Sequence, residues 1–217
     1  VEELAECLKR ASNGRVGLTR AQELKRAAEE SIGISTGHMG ARERLQSCLQ
    51  EVWFWEEQMN RVEEKMAEAL EKTGLAEFLL SVPGIGVITA ASFLGEVGDP
   101  AQYEHWRQWQ KLAGLNLCED SSGEKEGRRT IAKRGRAGLR SVLYKMSMVL
   151  VAKNAQFKAL YQYFKNRPVN PLKSTQALVA IMVKLLRVLF ALVKKKTRYD
   201  AGKVLGRARL RQVGVVA

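Results

Sequence analysis

Ser81-Val82-Pro83-Gly84-Ile85-Gly86-Val87-Ile88-Thr89-Ala90-Ala91 decides how this chain is read. Pro83 disfavours helical geometry at Val82 and so stops the apolar helical pattern before it. Gly84 and Gly86 permit positive φ and leave room for a group to approach the backbone closely. A new helix is predicted from about Val87, and the N–H groups of its first turn lack intrahelical acceptors. Such a terminus is an anion site by geometry and by dipole. Leu80, Ile85, Ile88 and Ala91 are predicted to pack the two helices together. A tight interhelical turn without a ligand is the plainer alternative.

The segment resembles the helix-hairpin-helix motif, which implies sequence-independent binding of a nucleic-acid backbone through Gly84, Ile85, Gly86, Val87 and Thr89. The proline before the glycines, the apolar residue between them and the Thr-Ala on the next helix carry that resemblance.

Upstream lies a long predicted helix, roughly 41–73. Leu45, Cys48, Val52, Trp55, Met59, Val62, Met66 and Ala69 fall at alternating steps of three and four. That is a heptad seam, which buries one stripe against a partner helix. An intramolecular hairpin arm and a dimerisation coiled coil both fit. Trp53 and Phe54 add apolar surface beyond one stripe and tilt the reading toward dimerisation. One or two short helices are predicted before it, around Asn13-Gly14, with turns near Gly33 and Gly37. Downstream, the pattern predicts helices over 75–81, 103–115, 138–153, 155–165 and 175–195, with a loop over 116–127. The fold class is therefore all-α: a segment over 1–40, a coiled-coil helix over 41–74, a helical domain over 75–200 and a basic tail over 201–217.

Charge is unevenly spread. Residues 1–77 hold 15 acids and 11 bases, whereas residues 128–217 hold 22 bases and one acid, Asp200. So steep a polarity points to a polyanion bound by the C-terminal half, nucleic acid ahead of a membrane surface. The apolar stretch 177–193 contains Lys184 and Arg187 and reads as an amphipathic or buried helix rather than a membrane span. Cys7, Cys48 and Cys118 form no C-x-x-C pair, which points to a reducing, cytoplasmic setting and against a zinc site. His38 and His105 stand alone and are read as surface or partly packed. Trp106 and Trp109, three apart, are read as a core stripe.

Ser121-Ser122-Gly123 sits in the predicted loop and is followed by a dense cationic strip, Arg128, Arg129, Lys133, Arg134, Arg136 and Arg140. Those charges can neutralise several phosphates, each adding close to one unit to the salt dependence of binding. A hydroxyl beside clustered arginines can be activated as a nucleophile, with its transition-state charge stabilised.

The order is P-G-I-G, an aromatic helix ending in A-G-L, a Ser-Gly loop, then T-I-A-K-R-G-x-x-x-L-R. Over residues 41–200 this resembles the C-terminal domain of the insertion-sequence transposases that pair a DEDD ribonuclease-H-like domain with a serine-bearing domain. The resemblance implies DNA transposition guided by a bridge RNA. It implies a serine nucleophile eight positions after the glycine of the G-L pair, which is Ser122, with Ser121 as the fallback. It also implies Mg2+ in an acidic N-terminal domain. Nothing here matches that domain, so no metal or cofactor is expected within the chain, which reads as the C-terminal part of a longer protein. The expected partners are DNA, a guide RNA and a second copy through the coiled coil, with no membrane. Two rival readings stay open: a non-catalytic helix-hairpin-helix module that only docks nucleic acid, and a coiled-coil assembly protein.

Overall fold

The computed structural model describes residues 1–33, 37–119 and 129–203. Contacts between Cα atoms divide the chain into two units, Val1–Glu57 and Gln58–Ala217. In the first, α1 (Glu2–Ala11) and α2 (Leu18–Glu30) pack on each other. Asn13 and Gly14, both at positive φ, reverse the chain between them. Ser12 locks that reversal: its Oγ donates to the Leu8 carbonyl (2.6 Å) and accepts from the Val16 N–H (2.9 Å).

A single 35-residue helix, α3 (His38–Lys72), follows and crosses the boundary between the units. Its predicted seam is almost wholly solvent-facing, with Leu45 61% and Trp55 63% exposed. Leu70 is the one α3 residue that enters the core.

The second unit is helical: α4 (Ala76–Leu80), α5 (Val87–Val97), a 3₁₀ turn (Pro100–Gln102), α6 (Trp106–Leu112), α7 (Ala137–Lys153), α8 (Ala155–Asn166) and α9 (Ser174–Lys195). All-α is thus the fold class. Helix α9 is its axis, with α4, the 3₁₀ turn, α6, α7 and α8 packed around it. Its buried residues run Ala177, Leu178, Ile181, Met182, Leu185, Leu186, Leu189, Leu192 and Val193, a stripe at three-four spacing. By length and composition α9 could cross a membrane (mean hydropathy 2.1), yet 56% of its most apolar window is buried against the rest of the chain.

The predicted 103–115 helix is shorter than expected. Asp99 accepts from the Ala101 N–H (2.9 Å) and starts the 3₁₀ turn at Pro100. His105 Nδ1 then accepts from the Arg107 N–H (3.2 Å) while Gln108 Oε1 accepts from the His105 N–H (3.0 Å), a reciprocal cap that fixes the start of α6 at Trp106. Trp109 is fully buried, edge-on to Phe93, Tyr103 and Phe190.

Two elements were not anticipated. Strands β1 (Leu117–Glu119) and β2 (Arg129–Ile131) form an antiparallel pair at the edges of the expected loop. The segment after α9 is pinned back on the core: the Tyr199 N–H donates to Ser81 Oγ (2.8 Å) and Asn154 Nδ2 donates to the Tyr199 hydroxyl (3.1 Å). Burial pushes the Tyr199 phenol up, opposed in part by the Asn154 hydrogen bond. Asn154, itself buried, also caps α8 by accepting from the Gln156 and Phe157 N–H groups.

Candidate nucleic-acid interface

Residues 81–86 join α4 to α5. The Ile85 N–H returns to the Val82 carbonyl (3.1 Å), and both side chains are buried, so the turn is anchored from below. The stripe that packs this hairpin is Leu79, Val82, Ala90, Phe93 and Leu94; Leu80, Ile88 and Ala91 are only half-buried. The shift arises because α5 leans on α7 as well as on α4.

The two glycines differ. Gly84 has φ +96, and a Cβ there would meet Val149 Cγ1 of α7 at 3.1 Å. Gly86 has φ −95, a conformation open to any residue, contrary to the expectation of positive φ at both. What distinguishes Gly86 is space: a Cβ would meet nothing within 4 Å. It caps α5, whose first intrahelical bond runs from the Ala90 N–H to the Gly86 carbonyl (2.9 Å). The N–H groups of Val87, Ile88 and Thr89 therefore lie ahead of the first intrahelical donor. Gly86 and Val87 are exposed and Thr89 is half-buried.

The cationic strip is held by a backbone clasp. A Cβ on Gly114 would meet the Lys133 carbonyl carbon at 2.9 Å, and one on Gly135 would collide with the Leu112 carbonyl oxygen and lie 2.7 Å from the Gly114 nitrogen. Only glycine permits this approach. Across it the Arg136 N–H donates to Leu112 (2.7 Å), the Lys133 N–H to Gly114 (3.0 Å) and the Ala132 N–H to Asn116 (2.7 Å). Arg140 is half-buried, and its Nη1 donates to the carbonyls of Ala113 (3.0 Å) and Lys133 (3.4 Å), so it ties the clasp together. Arg136 donates to the Glu96 carbonyl. Lys133, Arg134 and Arg136 are exposed and present their charge to solvent.

These two features sit at opposite ends of an antiparallel helix pair. The Gly84 end of the hairpin approaches Val149 late in α7, while the Glu96 carboxylate packs against Gly138 in the first turn of α7. The ten residues from Gly86 to Glu96 correspond to about 15 Å of helix. The α5 terminus and the Lys133–Arg136 strip are therefore separate features of the surface.

Ser121, Ser122 and Arg128 lie outside the described residues, and of Arg129 the backbone alone is described, paired with Glu119. The β1–β2 register places Glu119 opposite Arg129 and Leu117 opposite Ile131. The sequence signal for the clasp was the Gly114 and Gly135 pair, which periodicity does not register. No group of three His, Cys, Asp or Glu side chains able to hold a metal occurs among the described residues.

Residues 76–162 match the model of the family described as Transposase IS116/IS110/IS902 family. The match begins at the first residue of α4 and encloses the turn, the serine segment, the clasp and α7. The chain is similar to the transposase for insertion sequence element IS1111A of Coxiella burnetii, with 30% identity over 86% of this chain and 52% of the relative. It is similar to a probable family 20 transposase of Pseudomonas aeruginosa, with 28% identity over 74% of this chain and 47% of the relative. It also resembles a pilin gene-inverting protein of Moraxella bovis, 28% identical over 58% of this chain and 38% of that protein. The chain spans about half the length of the first two. The relatives it resembles include insertion-sequence transposases and a gene-inverting protein, and residues 76–162 match the transposase family's model by sequence.

Proposed function

We propose that this chain is the DNA-joining part of an insertion-sequence transposase that works with a guide RNA. The observation that carries the reading is the family match over 76–162, which contains the open α5 terminus, the serine segment and the clasped cations in one stretch. The α4–α5 hairpin acts as a helix-hairpin-helix and holds one backbone at Gly86–Thr89. Lys133, Arg134 and Arg136 hold a second backbone about 15 Å away. Neither contact reads bases, so sequence choice falls to the RNA.

Ser122 is the nucleophile. Its Oγ forms a bond to a DNA phosphorus, the bond from that phosphorus to a deoxyribose oxygen breaks, and the serine proton passes to the leaving oxygen. One phosphoester replaces another, so reversal onto a new strand end needs no external energy source. The exposed seam of α3 pairs with a second copy.

The test joins this chain to an acidic ribonuclease-H-like domain of the kind the resemblance implies and supplies element-end DNA with guide RNA. A protein–DNA adduct that survives denaturation is expected, absent in Ser122→Ala and retained in Ser121→Ala. The reverse pattern reassigns the nucleophile to Ser121. No adduct in any form leaves the non-catalytic docking module.

A further inference from the structure

A second concave surface, of about 1500 Å³, runs along α9 and takes none of its lining from α5 or the 81–86 turn. One wall is aliphatic, with Val183, Val188 and Ala191 of α9 facing Leu117 and Ile131 of the β-pair. The rim is cationic: among the described residues that line the groove, Arg167, Lys184, Arg187, Lys195, Arg198 and Lys203 stand against one acid, Asp200. Asp200 is bridged to Lys203 (3.1 Å) and Arg198 to Glu77 outside the groove (3.3 Å). At one edge the Arg187 guanidinium lies over the Trp106 ring, 5.8 Å from its centre.

We propose that this groove seats a single-stranded segment of DNA, its bases on the aliphatic wall and its phosphates at the rim. A duplex hides its bases and offers only phosphates, so it has no use for an apolar wall; an unpaired strand offers both. Guanidinium and indole planes are surfaces on which unpaired bases stack. Leu117 and Thr130, which flank the segment carrying Ser122, line the groove, and strand exchange by a serine creates unpaired strands at that place. The proposal rests on the functional reading above. The chain's own residues 204–217, with three arginines and no acid, match the rim in sign and do not complement it.

The test uses the chain as it stands and fluorescence anisotropy with four short probes of equal length: oligothymidine, its abasic deoxyribose-phosphate counterpart, oligouridine and duplex DNA. Oligothymidine should bind roughly fivefold or more tightly than the abasic strand, the value of about one stacked base. Ala191→Ile, which crowds the wall without changing charge or adding an aromatic plane, should erase that preference and leave duplex affinity unchanged. Should Ala191→Ile fail to fold by circular dichroism, the exposed Arg187→Ala, which removes a stacking plane, supplies the comparison of oligothymidine with the abasic strand. Equal binding of the abasic strand overturns the proposal, as does a preference that survives these variants. Tighter binding of oligouridine assigns the groove to RNA, and displacement of oligothymidine by an acidic amphipathic peptide assigns it to a protein; either result also overturns it. Ser122→Ala should bind oligothymidine as the parent does, so a missing adduct and a missing groove are told apart.

Discussion

Replacing Gly135 by alanine should strike the clasp directly. The new Cβ would collide with the Leu112 carbonyl oxygen, lie 2.7 Å from the Gly114 nitrogen and lie 3.1 Å from the Gly114 Cα. These are backbone atoms, so the two segments must separate by roughly an ångström to reach ordinary contact. The Arg136-to-Leu112 and Lys133-to-Gly114 hydrogen bonds span that gap. Losing both costs ~1 kcal/mol each, and the backbone distortion adds ~1–2 kcal/mol. The expected loss is therefore about 3–4 kcal/mol, against a typical domain stability of ~5–15 kcal/mol. Urea denaturation followed by circular dichroism measures it, with Gly86→Ala as the matched control because open space surrounds Gly86. The control should fall within ~1 kcal/mol of the parent, since Gly86 caps α5 and alanine is a poorer cap. A Gly135→Ala loss under ~1 kcal/mol, or one equal to the control, would refute the clasp as a rigid backbone contact.

Gly86→Val should cost about 1 kcal/mol of stability as a poorer cap but weaken DNA binding alike on unrelated duplexes, measured by anisotropy on folded protein, because a side chain there blocks a phosphate and not a base; a sequence-selective loss would count against a backbone grip. Arg134→Ala should lower the slope of log affinity against log salt by about one. Arg140→Ala should instead lower the urea midpoint, since its guanidinium holds Ala113 and Lys133. With Cys7 and Cys118 changed to serine, mild oxidation should link two chains through Cys48, because identical seam positions face each other in a parallel, in-register pair. A chain that stays monomeric on a non-reducing gel would exclude that arrangement.

Long apolar periods were plain in the sequence. Helix α9 and the long α3 follow directly from three-four spacing, and the start of α5 at Val87 follows from Pro83 and the glycines before it. What periodicity missed is held by single contacts between distant residues. The start of the 103–115 pattern stays outside the helix because a 3₁₀ turn begun by Asp99 runs up to it and His105 caps α6 at Trp106. The clasp depends on two glycines 21 residues apart whose partners are backbone, leaving no apolar signature. Of the two properties the sequence suggests for Gly86, positive φ is absent and open space around the backbone is present. Of the candidate site, the residue types were legible, but the ~15 Å between hairpin and cations became clear only once Glu96 met Gly138 and Gly84 met Val149.

The β1–β2 pairing bears on evolution as well as on geometry. Because Glu119 faces Arg129, the entropy of closing the nine intervening residues is met by the strand ladder and not by substrate. Doubling such a closed stretch costs only about 0.6 kcal/mol. The segment that carries the proposed nucleophile can therefore lengthen, shorten or exchange its residues with little effect on the helices beneath it. Proteins built on this frame can change what lies between the two strands without refolding the helices that carry them.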